Sequence, residues 1–140
     1  MVYVTRRFHF SASHRLYKPE LTDLENEELY GKCSNPNGHG HNYILEVTLV
    51  GDPEPGIGYV IDLKKLKRIV EDELIEKVDH KNLNSDVKFM SRITPTTENI
   101  VMKFWEVIED KVNNKKRKLH SLKLFETENN VVEYKGKNNE

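Results

Sequence analysis

The sequence predicts an α+β domain: an antiparallel sheet in the order ββααββ with two helices on one face. Three observations predict it. Strand-type runs rich in Val, Tyr, Phe and Thr stand early in the chain, Val2–Ser13 and Asn42–Val50, and again at its end, Leu119–Thr127 and Val131–Lys135. Two stretches with helical apolar spacing lie between these pairs. No internal repeat or linker divides the 140 residues, so residues 1–136 are expected to form one domain and 137–140 a frayed tail.

Each element has its own signal. Val2–Ser13 puts Phe8, Phe10 and Ala12 on one face and His9, Ser11 and Ser13 on the other. His14 lies where this strand ends or bends. Thr22-Asp-Leu-Glu25 matches a capping box and opens a short polar helix to about Tyr30. Gly31–Gly40, with Pro36 and Gly38, reads as loop. Asn42–Val50 aligns Tyr43, Leu45, Val47 and Leu49 on one face, and Gly51–Gly58 is a connecting turn. Asp62 is placed to cap a helix through about Lys77, with Leu63, Leu66, Ile69, Val70 and Leu74 as its apolar stripe. Asp79–Lys88 is expected as polar loop. Pro95-Thr-Thr opens a second helix that buries Ile100, Val101, Phe104, Val107 and Ile108. Asn113–Lys118 is a basic turn, and Glu128-Asn-Asn130 joins the last two strands into a hairpin.

Composition narrows the class. A formal net charge of -1 gives no bias toward nucleic acid or anionic membrane. No apolar run is long enough to span a bilayer, and Met1–Arg7 lacks a signal-peptide core. A single cysteine points to a reducing, cytoplasmic setting. With 36% hydrophobic residues and open sheet edges, pairing with further copies is expected.

The chemistry concentrates in Cys33-Ser-Asn-Pro-Asn-Gly-His39-Gly-His41. On a strand, His39 and His41 share a face, and two such imidazoles can bind one metal ion. A third would complete a tripod with an open position, the pattern of catalytic zinc. His14, in Ser11-Ala-Ser-His-Arg-Leu16, is the best candidate, although spacing alone does not rank it above His9. His120 reads as an ordinary histidine. Cys33 sits in a polar loop, where it serves either as a fourth ligand or as a general base. Asp79-His80 reads as a helix-terminal pair or as a proton relay; taken alone, the former is the better reading. Glu126 follows Leu122 and Leu124 on one strand face, so it is either a strand end or a carboxylate that takes two N–H bonds from a planar, guanidinium-like edge. Thr96, Thr97 and Glu98 cap the second helix, whose N-terminus can also hold ligand.

Four segments together carry a resemblance. Phe10–Leu16, Gly31–Tyr43, Val78–Asn84 and Phe125–Gly136 closely resemble the 6-pyruvoyl-tetrahydropterin synthase family, and Pro95–Ile100 is similar to a fifth segment of it. The resemblance implies the tunnelling fold (T-fold), with three subunits closing their sheets into a barrel and two trimers stacking into a homohexamer. It implies zinc on His14, His39 and His41, Cys33 as catalytic base, and Asp79 and His80 as its relay, supplied by a neighbouring subunit. Glu126 would anchor the pterin, with Thr96, Thr97 and Glu98 lining its pocket. Magnesium is also associated with the family and would accompany the substrate triphosphate.

The implied reaction converts 7,8-dihydroneopterin triphosphate to 6-pyruvoyl-tetrahydropterin with loss of triphosphate, in tetrahydrobiopterin biosynthesis. The related 6-carboxytetrahydropterin synthase of the queuosine pathway usually has three residues between the cysteine and the first loop histidine. The five here resemble the biopterin-type enzyme. Relatives that carry glutamate in place of the cysteine cleave dihydroneopterin differently, and Cys33 argues against them. A non-catalytic zinc- or pterin-binding module, closed by Cys33 as fourth ligand, is the rival from another class.

Overall fold

Strands β1 (Val2–His14) and β2 (His39–Gly51) make the centre of the sheet in a computed structural model that describes residues 1–137. They pair antiparallel without a break, from Val2 opposite Gly51 to His14 opposite His39. Between them lie α1 (Asp23–Tyr30) and a 3-10 turn, Gly31–Ser34. After β2 come α2 (Leu63–Val70), a π turn (Glu71–Ile75), α3 (Glu76–Val78), β3 (Lys81–Asn82), α4 (Thr97–Val112), β4 (Arg117–Thr127) and β5 (Asn130–Tyr134). The sheet order among the described residues is β3-β1-β2-β4-β5. The expected frayed tail falls, from residue 138 on, outside the described residues.

Period-2 burial explains the layers. Phe8, Phe10, Ala12 and His14 of β1 and Tyr43, Leu45, Val47 and Leu49 of β2 face the helices, while their neighbours face away. Helix α4 covers this face with Ile100, Val101, Phe104, Ile108 and Val112, all buried. Phe10 stacks on Tyr43 at 4.8 Å between ring centres and meets the edge of Phe104 at 5.7 Å. Each fully buried side chain of this size contributes about 1.5–3 kcal/mol.

The caps at Thr22, Asp62 and Thr96 form as expected, and the Thr22–Glu25 capping box is reciprocal. Four expectations need correction. The order ββααββ omits β3, which lies inside the expected loop Asp79–Lys88 and pairs parallel with Ala12 and Ser13, so the sheet is not wholly antiparallel. Two residues carry too little apolar periodicity to announce a strand. The expected helix to Lys77 is interrupted by the π turn. Its buried residues Leu66, Val70, Leu74 and Val78 step by four, which drifts about 40° per step on an α-helix. A wider turn takes up that drift and keeps all four inward. Leu63, expected in the stripe, is 44% exposed because it opens the helix, in the first turn after the Asp62 cap. On α4, Trp105 is buried and Val107 only half-buried, reversing the expected preference.

Candidate metal centre

His14 remains in β1 rather than bending away, and strand register does the rest. It stands opposite His39, while His41 stands opposite Ala12, two residues along the ladder. The three imidazoles converge on one face at the end of the sheet, with ligand atoms all within 4.8 Å of one another. His14 Nε2 lies 3.1 Å from His39 Nε2. Two nitrogens on a tetrahedral ion at ordinary zinc–nitrogen distances sit roughly 3.4 Å apart, so the arrangement fits such an ion. His9, on the opposite face and opposite Ile44, is remote from the cluster.

Surroundings prepare the trio for metal. His14 Nδ1 lies 2.8 Å from the Pro95 carbonyl, which fixes the proton there and leaves Nε2 as ligand. Burial holds His14 below the ordinary histidine range; its imidazole neighbours act in the same direction, against the Pro95 carbonyl and Glu126. His41 is lowered as well, first by burial, with Glu126 opposing. Its Nε2 is buried without a hydrogen-bond partner. Both shifts, of His14 and of His41, favour the neutral imidazole, the form that binds metal. The three histidines can hold a metal ion.

Glu126 stands beside them. Its Oε2 is 3.9 Å from His14 Nε2 and its Oε1 is 3.8 Å from His41 Nε2. Thr97 Oγ1 donates to Glu126 Oε2 at 2.9 Å. The neighbouring cleft, of about 560 Å³, is lined by Leu16, Tyr30, Thr96, Thr97, Glu98 and Glu126, among others. Thr96 caps α4 by accepting from Asn99 N–H, Thr97 is buried, and Glu98 is exposed. Leu16 and Tyr30 were not legible as cleft residues; both border the Cys33 loop, and only chain folding brings them to Glu126.

Cys33 lies half-buried in the 3-10 turn, not in open loop, and its carbonyl accepts from Leu16 N–H at 2.8 Å. It is not part of the convergent ligand group. Asp79 and His80 sit at the edge of β1 instead. Ser11 N–H donates to Asp79 Oδ1 at 2.9 Å, and His80 Nδ1 is 3.0 Å from the same oxygen. These bonds, the Ser11 bond first, hold the Asp79 carboxyl below its usual range. His80 has φ 60° and is 82% exposed at its side chain, facing a hollow lined by Ser11, Ser13, Asn42 and Asp86. Within one chain the pair bonds to Ser11 and not to the histidine trio.

Comparison with known proteins bears on the fold and the family. A family described as 6-pyruvoyl tetrahydropterin synthase matches residues 3–137. The Homo sapiens 6-pyruvoyl tetrahydrobiopterin synthase is 45% identical over 133 residues, covering 95% of this chain and 90% of that protein. A 6-carboxy-5,6,7,8-tetrahydropterin synthase of Rickettsia typhi is 28% identical, over 95% of this chain and 99% of that protein. The solved structure of Caenorhabditis elegans 6-pyruvoyl tetrahydropterin synthase superposes with a TM-score of 0.89 at 40% identity, covering 97% of this chain and 96% of that one. A family match over nearly the whole chain, a shared fold and a histidine trio at the end of the sheet lead to one conclusion: this chain belongs to the 6-pyruvoyl tetrahydropterin synthase family of enzymes.

Proposed function

We propose that this chain converts 7,8-dihydroneopterin triphosphate to 6-pyruvoyl-tetrahydropterin with loss of triphosphate, as a zinc-dependent step toward tetrahydrobiopterin. The observation that carries this reading is the convergence of His14, His39 and His41 beside Glu126, a residue that lines a cleft. The identity to biopterin-type relatives exceeds that to the 6-carboxy enzyme, 45% against 28%, which supports the biopterin-type product.

The three imidazoles would hold zinc and leave one position open. Bound there, zinc supplies Lewis acidity toward oxygen donors. Glu126 anchors the pterin: Thr97 takes one carboxylate oxygen, and the other side remains able to accept from the planar N–H edge. Thr96, Thr97 and Glu98 shape the wall of that pocket. Cys33, as thiolate, takes and returns protons on the side chain of the substrate. Asp79 and His80 restore its charge state from a neighbouring copy, since within one chain they turn away toward Ser11. That requirement supports a site at a subunit boundary; the resemblance implies that the copies assemble as trimers whose sheets close into a barrel, and on to a hexamer.

Incubating zinc-loaded protein with 7,8-dihydroneopterin triphosphate and weighing the pterin product tests this. A 6-pyruvoyl product is expected. A 6-carboxy product with released acetaldehyde would move the protein to the other branch of the family. Full zinc occupancy without turnover would leave a binding module.

A further inference from the structure

The segment from Asp79 to Asn84 docks along the edge of β1 at alternate residues. Ser11 bonds Asp79 and also His80, whose N–H donates to the Ser11 carbonyl at 2.6 Å. The Ser13 carbonyl accepts from Leu83 N–H at 2.8 Å. At Arg15 the strand has ended, and a side chain takes over from the backbone. Asn84 Oδ1 accepts from Arg15 N–H at 2.7 Å, and Asn84 Nδ2 donates to the Arg15 carbonyl at 2.8 Å. The carboxamide thus imitates one paired peptide unit. Only this orientation satisfies both bonds, because a flipped amide would set N–H against N–H and oxygen against oxygen. Asn84 N–H is itself held by Asn82 Oδ1 at 2.8 Å.

The residues gripped by Asn84 in turn grip the cysteine turn. Arg15 Nε donates to the Ser34 carbonyl at 2.8 Å, and Leu16 N–H donates to the Cys33 carbonyl at 2.8 Å. The Arg15 guanidinium lies over the Tyr17 ring at 4.0 Å, which limits its swing. Two consecutive carbonyls, those of Cys33 and Ser34, are therefore held by Leu16 and Arg15; Asn84 bonds the backbone of Arg15, and its bond to the Arg15 carbonyl holds the peptide plane that carries the Leu16 N–H. An asparagine that merely closed a turn would bond within that turn; both side-chain bonds of Asn84 cross 69 positions of sequence.

We infer that Asn84 is a positioning residue for Cys33: through the backbone of Arg15 and Leu16, it sets where the thiol stands relative to the histidine trio. This rests on the reading of Cys33 as the proton-transfer group. It also gives one short segment two duties, with Asp79–His80 at its start and the cysteine clamp at its end.

Cys33 is the one cysteine of the chain, so a thiol reagent reports on it alone. The test compares Asn84→Ala and Asn84→Asp with the unmodified sequence in zinc-loaded, full-length protein. It reads kcat and KM for 7,8-dihydroneopterin triphosphate, zinc content, melting temperature and the rate of Cys33 alkylation by iodoacetamide. For Asn84→Ala, kcat is expected to fall about 10- to 100-fold, the scale of a small misplacement of a reacting group, with KM within about twofold and zinc retained. The alkylation rate should change by at least about threefold. Asn84→Asp keeps the acceptor and loses the donor, so it should lie between. Val107→Ala, a half-buried change on α4, controls for simple loss of stability and should leave alkylation as it was. Unchanged alkylation in Asn84→Ala would overturn the clamp, as would a change that Val107→Ala reproduces at equal loss of melting temperature. Because alkylation needs no turnover, an inactive parent protein would sink the proposed reaction without deciding the clamp.

Discussion

His14 and His39 stand directly opposite each other in the β1–β2 ladder, and their Nε2 atoms approach to 3.1 Å. The candidate metal site is therefore a product of strand register. The pairing runs unbroken over all thirteen residues of each strand, anchored by core residues such as Phe10 opposite Tyr43. A slip by one residue would turn His39 and His41 to the open face and empty the site of two imidazoles.

Replacing His39 by Ala should leave the sheet intact, because His39 is only half-buried and sits at the strand end. Zinc should be lost. Loss of an outer-shell partner costs metal affinity roughly 10–100-fold, and loss of a direct ligand should cost more. Competition with a chromogenic chelator measures this. Unchanged affinity would remove His39 from the ligand set.

Acid should weaken the metal-free fold in a defined direction. His14 and His41 have folded pKa values below the ordinary 6.5, so over that interval the unfolded chain binds more protons. The stability they contribute is present above the unfolded value and is lost as pH falls through the lowered folded values. Urea midpoints of chelator-treated protein should therefore decline below about pH 6.5. The decline should be shallower in His14→Gln. Equal slopes would contradict the burial argument.

Much of this was legible in the sequence, for physical reasons that can be named. Alternation at Tyr43, Leu45, Val47 and Leu49 extends back through His41 and His39, so one face follows from parity. In the structure His14 lies on the face of Phe8, Phe10 and Ala12 and His9 on the other, but spacing alone does not rank the two, because it leaves open whether the strand ends or bends at His14. What parity cannot supply is register, which depends on how two distant strands meet. The same limit hid β3, the contact of Thr97 with Glu126, and the bonds of Asn84 to Arg15, since each joins residues far apart in the chain.

Tyr43 offers a test of the core beneath the site. It is fully buried, and its hydroxyl has no hydrogen-bond partner. Burial, with Glu126 adding to it, raises its pKa far above the usual range, so the phenol stays neutral. An unsatisfied buried hydroxyl costs about 1–3 kcal/mol. Tyr43→Phe keeps the stacking on Phe10 and removes that penalty. It should raise stability by about 1 kcal/mol in chemical denaturation. A loss of stability would show that the hydroxyl is bonded in solution.

Glu126 separates anchoring from packing. Glu126→Gln keeps an oxygen for Thr97 but loses the charge that favours two N–H donors. Pterin affinity should fall by about tenfold, from the loss of a charge-assisted bond, while zinc remains. Fluorescence titration with neopterin reads the first and metal analysis the second. Unchanged pterin affinity would remove Glu126 as anchor.

Gly38 and Gly31 form a matched pair around the cysteine turn, with φ of 69° and 60°. Alanine at either position must take a positive φ, at Gly31 with ψ of −135°, outside the left-handed helical well, and such backbone costs about 1–3 kcal/mol. At Gly31 a Cβ meets nothing within 4 Å, so strain is the whole effect. At Gly38 it would come within 2.9 Å of the His14 carbonyl oxygen, backbone that cannot swing aside. The loop must then move off the strand end that presents His14. Both variants should lose stability, and Gly38→Ala alone should weaken zinc binding. Zinc competition distinguishes them: unchanged zinc affinity in Gly38→Ala would mean that the loop does not rest on His14.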